Sequence, residues 1–163
     1  MPDTFPIRFS FVKAFILLNL LFSITACQKE IDEKISAAEK LTSARWQLKQ
    51  LLLENPPGSA PADITAATFD PCELDDLIEF KPGGNYFCDE NTNVCSVNSS
   101  FFYATRGGNW AISGDTALAI SKGLISQSFR LGKVSSTSAE FRQLFTNYLG
   151  EPLVYIFIFR PVK

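Results

Sequence analysis

The chain contains no histidine in 163 residues, which removes the side chain most often used as a general base near neutral pH and the commonest metal ligand. No nucleophile stands in a motif that pairs it with a base, so the sequence offers no catalytic residue, no metal site and no cofactor site. Basic residues are not in excess. Fifteen Lys plus Arg against 17 Asp plus Glu give a formal net charge of −2, and nothing calls for nucleic acid as a partner. Long apolar runs are missing too. The run from Ala14 to Phe22 is far short of the ~20 residues that a helix needs to cross a bilayer.

Phenylalanine, by contrast, occurs 15 times, against two Trp and four Tyr. With many Val, Ile and Thr nearby, this composition favours strands. Residues 31–41 allow a short helix, with Ile35, Ala38 and Leu41 at helical spacing,. From Ser43 the period changes to alternation: Trp46, Leu48 and Leu52 fall on one face and Arg45, Gln47 and Lys49 on the other, until Asn55-Pro56-Pro57-Gly58 breaks the run. Residues 56–70 follow as a long loop.

Three hairpins come next. Folding about Gly83 sets Phe80 opposite Tyr86 and Ile78 opposite Cys88, and folding about Asp115 sets Ile112 against Leu118 and Trp110 against Ile120. Folding about Gly150 lets Phe145 face Tyr155 and Phe141 face Phe159,. The last strand is apolar on both faces, as expected of one that is covered on both sides, or that pairs with a partner strand and packs beneath the N-terminal segment. Eight strands result, near 44–53, 76–81, 85–90, 108–113, 117–121, 124–132, 139–147 and 153–160. The expected fold is all-β, an up-and-down antiparallel meander that removes its exposed edges by closing into a barrel, preceded by a short helix or tether.

Extending the first hairpin's register outward brings Cys72 near Val94 and Cys95 and turns Cys88 toward the core. A Cys72–Cys95 disulfide is expected, with Cys88–Cys95 as the rival pairing. Asp89-x-Asn91-x-Asn93 matches the start of a calcium loop, but its sixth position is Val94 and its twelfth is Ser100, so a polar turn is the better account. Glu73, Asp75 and Asp76 fit the start of a short helical turn.

At the N-terminus, Arg8 and Lys13 precede the apolar run, which ends in Ile24-Thr25-Ala26-Cys27. This tetrad resembles the lipobox of bacterial lipoproteins. The resemblance implies a signal peptide over 1–26, a lipid-carrying Cys27 and a tether over 27–40, so that the membrane is a partner through the acyl chains. Gln28 follows Cys27 where Asp would be an inner-membrane retention signal, which implies the outer membrane. The run Lys29 to Glu33 resembles a surface-export signal and extends the expectation to the cell surface.

Across 41–163, several stretches together resemble the lipocalin-like domain of small Gram-negative lipoproteins. They are Ala44-Arg45-Trp46, Pro71 to Asp76, Phe80 to Tyr86, Cys95 and Gly108-Asn109-Trp110. The resemblance implies a lipocalin-like barrel with a cavity and no catalytic residues. Trp46, Phe80, Tyr86 and Trp110, on inward faces, are the expected lining for a small hydrophobic ligand. A barrel with a solid core, acting as a structural module or binding an envelope protein, is the alternative.

Overall fold

A computed structural model describes residues 35–95 and 107–162. Cys27, the signal over 1–26 and the expected tether up to residue 34 lie outside the described residues, whereas residues 37–40 of that tether are helical and belong to the folded unit. The elements are α1 (Ala37–Thr42), β1 (Arg45–Glu54), β2 (Ala62–Asp63), α2 (Thr65–Thr68), α3 (Pro71–Leu74), β3 (Leu77–Lys81), β4 (Asn85–Asp89), β5 (Gly108–Ser113), β6 (Ala117–Lys122), β7 (Ile125–Val134), β8 (Ala139–Thr146) and β9 (Pro152–Val162). Among the described residues, no helix is long and apolar enough to cross a membrane.

Every ladder is antiparallel. The strand order is β2-β1-β3-β4-β5-β6-β7-β8-β9, and β1 also pairs with β9. Eight strands therefore close an up-and-down barrel, and β2 is an extra strand laid along the second half of β1. The direct links between sequence neighbours make this the least entropically costly way to close the sheet. One barrel end carries α1, the β3–β4 turn, the β5–β6 turn and the β7–β8 link. The other carries the β1–β2 loop, α2, α3 and the β6–β7 and β8–β9 turns.

The first two hairpins have the expected registers: Phe80 pairs with Tyr86, Ile78 with Cys88, Trp110 with Ile120 and Ile112 with Leu118. The third has slipped by two residues. Phe145 pairs with Leu153 and Phe141 with Phe157, because the Asn147 carboxamide oxygen accepts from the Leu149 and Glu151 amides, each at 2.9 Å, and centres the turn before Gly150. A slip of two preserves the faces. Phe145 still meets Tyr155, and Phe141 still meets Phe159, as diagonal ring contacts at 5.0 and 4.9 Å.

Strand β1 departs further from expectation. Leu48 pairs with Phe159 but Gln50 with Ile158, so Lys49 is an extra residue in the ladder. This bulge exchanges the faces, and Leu51, not Leu52, joins Trp46 in the interior. The outward face of β9 is partly covered: Ile156, in register with Leu52 and Arg142, is buried.

The 56–70 segment is more ordered than a plain loop. Beyond Gln47, β3 no longer pairs with β1, and β2 takes up that edge. Ile64 donates its amide to the Leu51 carbonyl, and the Thr65 hydroxyl accepts from the Leu51 amide at 2.8 Å. Asp70 then caps α3, with Glu73 reaching back to the Asp70 amide at 2.8 Å as a capping box,. Cys72, held on that turn, forms the disulfide to Cys95. The expected pairing is correct, although a helical turn and not an extended sheet register brings the cysteines together.

Candidate functional site

The barrel interior is filled by rings. Trp110 meets Phe80 edge-on at 5.3 Å, Phe80 meets Phe141 at 6.3 Å, and Phe141 meets Phe129 at 6.0 Å. Phe129 meets Phe157 at 6.0 Å, Phe157 meets Tyr155 at 6.4 Å, and Tyr155 meets Phe145 at 5.0 Å. The column runs from one end of the barrel to the other at spacings typical of favourable aromatic pairs. Three of the four residues expected to line a ligand site, Trp46, Phe80 and Tyr86, are each 1 % exposed within this core. Trp46 donates its indole N–H to the Leu41 carbonyl at 2.8 Å. Gly108 makes room for the Tyr86 ring, since a Cβ there would lie 2.7 Å from it and 2.4 Å from the Ser121 carbonyl oxygen.

Trp110, the fourth, is 9 % exposed and borders a groove of about 670 Å³ at the α1 end. Helix α1 supplies one wall through Ala38, Glu39 and Thr42, the β3–β4 turn supplies Pro82, Gly83 and Gly84, and Ala111 and Ile112 of β5 complete the lining beside Asp115. Each wall has a local cause. Ser36 and Glu39 form a capping box that starts α1, and the buried Leu41 fixes the helix against the barrel,. Gly84, at φ +88, takes a backbone conformation suited to glycine, and a Cβ there would sit 3.1 Å from the Trp110 carbonyl,. The Trp110 amide donates to the Gly84 carbonyl at 2.7 Å and its indole N–H to the Lys81 carbonyl at 3.0 Å. With its polar group satisfied, the indole offers the groove an apolar edge.

A second pocket of about 560 Å³ lies on the outer wall among Glu54, Arg130, Leu131, Gly132, Arg142, Leu144 and Val154. Glu54 is nearly buried, accepts from the Gly58 amide at 2.9 Å and pairs with Arg142. Arg142 also lies 3.6 Å from Glu140. Glu54, Arg142 and Glu140 are thus committed to one another, and Arg130 is outside that network.

Elsewhere, Asp75 accepts from the Thr92 hydroxyl at 3.3 Å and the Asn93 amide at 3.2 Å, while Asp89 pairs with Arg45 and accepts from the Asn91 amide. The Asp89–Asn93 stretch is thus tied as a turn. No cluster of three or more His, Cys, Asp or Glu suited to a metal ion occurs among the described residues. Burial pushes the Cys88 thiol up to about 12, with Asp76, Glu90 and Asp89 adding to the effect, so it stays protonated and unreactive at neutral pH. Burial, followed by repulsion from Asp75, Glu90, Glu73 and Asp89, lifts the Asp76 carboxyl to about 6.

No protein-family model matches the chain, and no curated protein is similar enough to stand as a relative.

Proposed function

We propose that this protein is a lipid-anchored envelope protein whose barrel binds a small apolar molecule in the groove between α1 and the β3–β4 and β5–β6 turns. The observation that carries the reading is the groove: about 670 Å³, within the size range of small-molecule sites, and lined mainly by apolar and small side chains. Trp110 forms part of its lining, and the ring column keeps the ligand at the barrel end. The anchor is Cys27, and Gln28 directs it to the outer membrane. Labelled palmitate should enter the protein and be lost in Cys27→Ala.

Titrating residues 36–163 with fatty acids and similar lipids should shift tryptophan fluorescence saturably. Trp110→Phe should remove most of that signal, and Ala38→Trp should weaken binding by filling the groove. Saturation that is insensitive to Ala38→Trp would place binding elsewhere.

The packed interior favours a second reading, in which the barrel is a rigid protein-interaction module. Absence of saturation with every lipid class would leave that reading in place.

A further inference from the structure

The barrel wall is split between β7 and β8. Their ladder consists of Val134↔Ala139, Leu131↔Phe141 and Arg130↔Arg142 and stops there among the described residues. Below that point β7 continues along β6 as far as the Ile125↔Lys122 pair, and β8 continues along β9 as far as Thr146↔Pro152. Among the described residues, 125–128 and 143–146 therefore each have one strand edge without a ladder partner, and both edges face the same gap. Strand edges of this kind are templates for pairing with another chain.

Three exposed apolar side chains flank the gap, interleaved with the polar Ser126, Gln127, Ser128, Gln143 and Thr146. Ile125 is 62 % exposed, Leu144 68 % and Phe145 40 %, and Tyr148 at the hairpin tip is 95 % exposed. At the closed end, Arg130 and Arg142 face each other in register. Like charges opposite one another are unfavourable, and Glu54 and Glu140 answer Arg142 alone. Arg130 has no ion pair among the described residues. On the interior face beside Tyr155, the Gln143 Oε1 is buried with no hydrogen-bond partner among the described residues.

We propose that this gap is a docking edge for an extended segment of a partner protein, which adds as a strand beside β7 or β8 and places an acidic side chain against Arg130. Backbone pairing would supply affinity, and the exposed apolar residues and Arg130 would supply selectivity. The site is independent of the groove, lies at the opposite barrel end and does not depend on a lipid ligand.

The test uses the full chain in detergent micelles and a probe heptapeptide, acetyl-EVTVTVE-amide, at up to about 1 mM, the weak end of measurable affinity. Hydrogen exchange of the backbone amides is followed by NMR. The expected result is slowed exchange at amides within 125–128 or 143–146, unchanged exchange in β5 and β6, and affinity about tenfold weaker in Arg130→Glu but retained in Arg130→Lys. The same peptide N-methylated at alternate residues should not bind. Unaltered exchange at those segments overturns the proposal, as does equal binding by the N-methylated peptide, which would mean a side-chain patch without strand addition. Protection that appears without peptide as protein concentration rises would assign the edge to a second copy. Protection on adding anionic vesicles alone would assign it to lipid, and either result overturns the proposal.

Discussion

Replacing Phe141 by Ala discriminates a packed barrel from a ligand-filled one. Its ring is 0 % exposed and touches Phe80, Phe129 and Phe159 at centroid distances of 6.3, 6.0 and 4.9 Å. Trimming it to a methyl group removes about 100–130 Å² of buried apolar surface, worth about 3 kcal/mol at ~25 cal/mol per Å². The neighbouring rings belong to three other strands and cannot all close on the space, so a cavity contribution raises the total to about 3–5 kcal/mol. With a urea slope of about 1.5–2 kcal/mol per M, the midpoint should fall by about 2–3 M with the slope unchanged. The assay is urea unfolding followed by tryptophan fluorescence and far-UV circular dichroism together, and the two probes should coincide. Phe141→Leu, which keeps most of the volume, should cost about a third as much. A loss below about 1 kcal/mol for Phe141→Ala would refute the packed interior, because a ring facing an unfilled cavity leaves few contacts to lose.

Two further perturbations act at the far barrel end. Reducing the Cys72–Cys95 bridge, whose partners are 23 residues apart, should lower stability by about 3 kcal/mol on the chain-entropy account, seen as a lower urea midpoint with dithiothreitol or in Cys95→Ser. Asp76 has a folded-state carboxyl raised from 3.8 to about 6, so the folded protein holds that proton more tightly than the unfolded chain. Its contribution to stability is fully favourable below about pH 4 and declines as pH rises through 6. Allowing for solvent around a half-buried group, the decline is about 1 kcal/mol. Asp76→Asn should flatten it, and a decline that is unchanged in the variant would assign it to other groups.

The hairpins were legible because their information is local. In Phe80-Lys81-Pro82-Gly83-Gly84-Asn85-Tyr86, alternation and turn residues name the same pivot, and a register follows from the pivot. Asn147 defeats that logic, because the side chain that centres the third turn lies outside the glycine that advertises it. Lys49 is silent for another reason: a bulge within Gln47-Leu48-Lys49-Gln50-Leu51-Leu52-Leu53 leaves either leucine face plausible, and only the ladder to β9 selects Leu51. The Thr65 hydroxyl standing in for a strand is equally invisible, since Ala, Thr and Pro surround it. The groove is assembled from three segments that only barrel closure brings together. Arg130 and Arg142 were legible as charged positions, but the end of their ladder was not, because where two strands part is a property of the whole sheet's twist and shear.

Alternation shows which side chains face inward, yet it does not say whether the space between them is empty. Trp46, Phe80 and Tyr86 have the same sequence pattern whether they line a cavity or pack in a core; the ring contacts of Phe80 and Tyr86 and the burial of all three decide for packing. For a ligand to enter the column it would have to displace rings such as Phe141 or Phe129, forfeiting several kcal/mol of burial before making any contact of its own. A small apolar ligand of micromolar affinity has only about 8 kcal/mol in total. Binding between α1 and Trp110 leaves the column intact. Of the two barrel regions, the α1 end is therefore the one where a bound molecule would disturb the core least.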